Sequence, residues 1–144
     1  MALFRKKPEY GDLTLPKDDR GTDSLDGYDY DLVPKKRDLT MRLADATPHQ
    51  DEIAALAAED PELLMTATPA RTVQQEGVDA PIEVRVFAGR RVSGVVGVVP
   101  RGLEGVYDEA VRRLDGRGDK PRIPVKVVET KKGWRVDLVI GASR

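Results

Sequence analysis

The chain has no cysteine, a single histidine and few aromatic residues, 5% of its 144 positions. Without cysteine there is no disulfide framework, no thiolate nucleophile and no Cys-ligated zinc or iron–sulfur site. His49 sits at an expected helix start, far in sequence from Ser93 and Ser143, so a serine triad has no base to draw on. Long apolar runs are missing too, and no stretch approaches the roughly 20 residues that span a bilayer. The opening Met1-Ala2-Leu3-Phe4-Arg5-Lys6-Lys7-Pro8 lacks the apolar core of a secretory signal. These absences point to a cytoplasmic protein with no catalytic residue, no metal site, no cofactor and no membrane association.

Charge is present in both signs but unevenly distributed. Residues 1–81 carry 10 Lys+Arg against 17 Asp+Glu, a net −7, whereas residues 82–144 carry 14 against 8, a net +6. A basic half beside an acidic arm suits nucleic-acid binding by the former, or attraction between the two.

From Lys7 to Asp38 the residues are mostly Asp, Lys, Pro, Gly and Tyr, without an apolar face. Residues 1–46 are therefore expected to form a disordered acidic region. The run from Asp18 to Asp31 lacks the spacing and the closing Glu of an EF-hand loop and reads as a solvated linker. Thr47-Pro48-His49-Gln50 has the order of a helix start, with Ile53, Leu56 and Ala57 on one face and a further apolar turn at Pro61 to Met65. Residues 47–78 are accordingly a short helical segment and linker.

Beyond Ile82 the period changes to two. Ile82, Val84 and Val86 alternate with Glu83, Arg85 and Phe87, and Gly89-Arg90 turns the chain into a second strand that Pro100 ends. Leu103, Val106, Tyr107, Ala110, Val111 and Leu114 make the buried stripe of a helix whose polar face shows Glu104, Asp108, Glu109, Arg112 and Arg113. Two strands follow, Ile123 to Glu129 and Trp134 to Ile140. Residues 79–144 thus read as a ββαββ unit of the α+β class, a small antiparallel sheet or partly closed β-barrel with one packed helix.

Arg90 and Arg91 at the first hairpin, Arg101 after the second strand, and Lys131 and Lys132 at the last hairpin all fall at strand ends. If those loops cluster they form a phosphate-binding rim, against the alternative of an ordinary solvated surface. Phe87 is the aromatic that projects from a strand face, while Trp134 and Tyr107 read as core.

Ile82 to Val92, then Val96-Gly97-Val98-Val99-Pro100-Arg101, then a helix and two strands, resembles the latter part of HIRAN domains, over residues 72–141 at most. The family's opening strand is not recognisable here. HIRAN domains are small β-barrel modules, similar in function to OB-folds, and some bind single-stranded DNA ends. The resemblance implies a non-catalytic module that binds single-stranded DNA, and it carries over one site residue, Arg101. The alternative is a protein–protein adaptor that uses the acidic arm and the helix near Thr47, with a protein partner on the N-terminal region.

Overall fold

The computed structural model describes residues 25–144. The expectation of disorder before Leu25, and residues 18–24 of the acidic run, lie outside the described residues. The fold is α+β, with small antiparallel sheets and few helices.

A first strand, β1 (Met41–Arg42), comes from the alternation Leu39, Met41, Leu43. A 3-10 turn over Thr47–His49 leads into helix α1 (Gln50–Ala57), which buries Ile53 and Leu56. Gln50 does not close a capping box with Thr47. Its side-chain amide donates to the carbonyls of Ala46 and Trp134, each at 3.0 Å, and its oxygen accepts the Trp134 N–H at 2.7 Å. The expected apolar turn at Pro61 to Met65 becomes a short 3-10 turn followed by strand β2 (Leu64–Thr66), because Leu64 and Thr66 point inward while Met65 does not. Three residues are too few for helical and strand periods to be told apart in sequence. Helix α2 (Val73–Gly77) carries the reciprocal capping box, with Thr72 and Gln75 bonded to each other's backbone N–H.

The alternation beyond Ile82 is realised strictly. Ile82, Val84, Val86 and Ala88 are buried, and the residues between them face out. This segment serves two sheets in turn, as β3 (Glu83–Val84) and then β4 (Val86–Ala88). The expected single second strand is instead β5 (Arg91–Val92) and β6 (Gly97–Val98), separated by a loop. Gly97 permits a close crossing, since a β-carbon there would sit 2.9 Å from Leu43 Cβ and 3.0 Å from the Ala44 carbonyl oxygen. After helix α3 (Glu104–Gly116) come β7 (Val125–Thr130) and β8 (Gly133–Leu138), paired in register about the Lys131-Lys132 turn.

Among the described residues there are three sheets, in the orders β1-β8-β7, β2-β4-β5 and β3-β6. Single-residue bridges, Ala44 to Val98 and Met65 to Pro124, join them without making a closed barrel. One core gathers Met41, Leu43, Ile53, Leu56 and Leu64 with Val84, Tyr107 and Leu138. Within residues 25–46, Tyr28 and four residues from Met41 to Ala46 are buried and β1 pairs with β8. Residues 79–144 share their core with β1, α1 and β2, which cover faces that a ββαββ unit alone would leave without apolar partners.

Tyr107 is fully buried on α3 and donates its hydroxyl to the Thr68 carbonyl. Burial pushes its pKa from 10.0 up to about 12, against a smaller downward pull from Thr66. A folded pKa above the unfolded one means that this contribution to stability is complete below pH 10 and is lost as pH rises from 10 to about 12. The loss is roughly 2–3 kcal/mol. Urea unfolding at pH 9 and pH 12 is expected to show a steeper decline for the wild type than for Tyr107→Phe. Equal declines would show that Tyr107 titrates normally.

Candidate functional site

The basic residues singled out by sequence belong to three places in the fold. Arg90 and Arg91 are exposed at the β4–β5 turn, and Arg91 meets Glu59 at 3.4 Å. Lys131 and Lys132 are exposed at the β7–β8 turn. Gln50, at one end of α1, touches the strand that leaves the lysine turn, while Glu59, just past the other end, touches Arg91. The eight residues of α1, a length of about 12 Å, lie between these two contacts.

Arg101 is placed differently again. Its guanidinium donates to the Asp79 carbonyl and carboxylate, both at 2.8 Å, and pairs with Glu104 at 2.8 Å. Next to it, fully buried Asp108 accepts from the Arg71 backbone N–H and from Arg71 Nε, each at 2.8 Å. Arg112 joins Glu76 at 2.6 Å and Glu109 at 3.1 Å. Burial opposes the charge on Arg71, but Asp108 outweighs it and the pKa rises. The hydrogen bond that Glu76 accepts from Arg112 likewise raises the pKa of Arg112. This network clamps the segment from Thr68 to Ala80 over α3. Glu104 and Asp108, on the polar face of α3, are buried, and the Arg101 guanidinium is engaged by Asp79 and Glu104.

The feature that sequence reasoning did not supply is the solvent face of the β2-β4-β5 sheet. Met65, Phe87 and Val92 lie side by side there, because Phe87 is directly opposite Met65 on one side and Val92 on the other. Exposed Leu63 extends the patch past Gly89. The Arg122 guanidinium lies over the Phe87 ring, 4.2 Å from its centroid. Its position is fixed by its neighbour, since Ile123 donates to Thr66 Oγ1 and accepts the Thr66 N–H, each at 2.9 Å. Arg85 is exposed two residues before Phe87 and so shares its face, and Arg90 stands at the end of β4. The alternation of residues 81–88 was sufficient to turn Phe87 outward, but nothing local in sequence pairs it with Arg122.

Apolar and aromatic side chains framed by arginine offer stacking and anion attraction. Among the described residues no three His, Asp or Glu side chains assemble into a cation cage, and no helix is long and apolar enough to cross a membrane. No protein-family model, curated protein or solved structure matches the chain.

Proposed function

We propose that this protein is a non-catalytic binding module that takes single-stranded DNA on the solvent face of the β2-β4-β5 sheet. The observation that carries the reading is Phe87 held outward under Arg122, with exposed Arg85 on the same face and Arg90 at the turn that follows β4. Unpaired bases stack on aromatic rings and on guanidinium planes, and the surrounding arginines attract the phosphates. The resemblance to HIRAN domains supports the same ligand class through a different route than expected, with Phe87 and Arg122 in place of Arg101. Lys131 and Lys132 meet only a strand long enough to pass the end of α1. The adaptor reading loses the inner face of α1, since Ile53 and Leu56 are already covered.

Binding of a twelve-nucleotide oligothymidylate, followed by fluorescence anisotropy over a range of salt, tests the proposal. The logarithm of the association constant is expected to fall with the logarithm of salt by about 0.7 per phosphate contact. Phe87→Ala is expected to weaken binding by about tenfold or more, from the roughly 1–3 kcal/mol of one base–aromatic stack. Arg101→Ala is expected to leave the salt slope unchanged. Salt-independent binding, or equal affinity in Phe87→Ala, would refute the assignment.

A further inference from the structure

A second surface lies at the edge of the same sheet and has the opposite charge. Strand β5 is outermost in the order β2-β4-β5. The Ser93 N–H donates to the Val86 carbonyl at 2.8 Å, and Val92 is opposite Phe87. Hydrogen-bonded and non-hydrogen-bonded pairs alternate in an antiparallel ladder, so Val92 aims its N–H and C=O away from β4, at the free edge.

Helix α1 runs along that edge and is bridged to it at both ends. The Glu52 carboxylate accepts the Gly94 N–H at 3.1 Å, and Glu59 meets Arg91 at 3.4 Å. From Glu52 to Glu59 the helix climbs, and from Gly94 back to Arg91 the strand runs, about 10 Å each. Between the two bridges is a slot of about 270 Å³ over Ala55, Leu56 and Ala88, with Val92 as its wall.

We infer that this slot takes an extended segment of a protein partner carrying lysine or arginine next to small aliphatic residues. The edge backbone offers one donor and one acceptor for strand addition. The apolar floor accepts an aliphatic side chain or the stem of a lysine. A carboxylate at each end attracts an ammonium or guanidinium group and repels phosphate, which separates this surface from the Phe87 face. Both carboxylates keep lone pairs for a second donor. The Arg91 contact is long and its side chain is 77% exposed, so a partner's cation displaces it at little cost.

The test is amide NMR of the full ¹⁵N-labelled chain titrated with acetyl-Val-Lys-Val-Lys-Val-amide and with its counterpart bearing glutamate for lysine. Saturable shifts are expected at Val92, Gly94 and Ala55 with the lysine peptide and none with the glutamate peptide. Glu59→Gln is expected to weaken binding about threefold and Arg91→Ala, which frees Glu59, to tighten it about threefold. Arg122→Ala, outside the slot, is expected to weaken oligothymidylate binding and to leave the peptide shifts unchanged, so the two surfaces fail or succeed separately. Ala55→Trp, at an exposed position of α1, fills the slot and abolishes the shifts. The inference is overturned if the lysine peptide produces no shifts, if the glutamate peptide matches it, or if Ala55→Trp keeps the parent spectrum elsewhere and still binds.

Discussion

Replacing Asp108 with alanine is expected to destabilise the protein by about 3–5 kcal/mol, the cost of stranding one partner of a buried ion pair. Asp108 is 0% exposed and holds both the backbone and the guanidinium of Arg71, whose side chain is 9% exposed. Without the carboxylate, that guanidinium keeps only the Ala80 carbonyl at 3.0 Å and a long contact with Asp79 at 3.5 Å. The exposed pair Arg117–Asp119 has a similar distance, 2.7 Å, yet its removal is expected to cost under about 1 kcal/mol. Burial, not distance, decides between them. Urea unfolding should show a lower midpoint with an unchanged slope for Asp108→Ala. The double variant Asp108→Ala/Arg71→Ala should lose less than the sum of the single changes. A loss below about 1 kcal/mol for Asp108→Ala alone would mean that the clamp over α3 is not formed.

A second large effect is expected at Gly141, for a steric reason. A β-carbon there would lie 2.3 Å from the Lys36 carbonyl oxygen and 2.4 Å from that of Arg37. Both are backbone atoms, so relief requires the chain between Leu25 and Leu39 to lift away from the 3-10 turn Ile140–Ser143. The Gly141 N–H bond to the Leu39 carbonyl, 2.9 Å, is then lost as well. Gly141→Ala is expected to cost about 1–3 kcal/mol, and to speed hydrogen exchange at the position 141 amide. Gly116→Ala is the control: nothing lies within 4 Å of its β-carbon, and it ends α3, so it should be neutral or slightly stabilising. Equal stability of the two variants would contradict the packing of residues 25–39 described above.

The parts of the fold legible in sequence are those where period and local contacts agree. The stripe from Leu103 to Leu114 places α3, and the alternation from Ile82 to Ala88 gives a one-sided strand, each from neighbours within a few residues. What was not legible depends on distant pairing. Strand β1 has only the alternation Leu39, Met41, Leu43 to announce it, too short to outweigh the polar stretch before it, and its partner β8 lies at the other end of the chain. Asp108 looks like any acidic residue on a polar helix face until Arg71 folds over it. The site divides in the same way. Charge and a place at a strand end grouped Arg101 with Arg90 and Arg91, while its ion pairs with Asp79 and Glu104 depend on folded contacts. Phe87 could be turned outward from alternation, but its contact with Arg122 exists because Thr66 and Ile123 are bonded across the fold.

The most direct test of the DNA assignment is the ring-proton NMR spectrum of Phe87 during titration with oligothymidylate. The chain has two phenylalanines, so Phe87→Leu assigns the signals. If a base stacks on the platform, the Phe87 ring protons move upfield by ring-current shielding, saturating at the same oligonucleotide concentration as the anisotropy. Bound oligonucleotide with an unmoved Phe87 ring, or no binding even at low salt, would contradict the account.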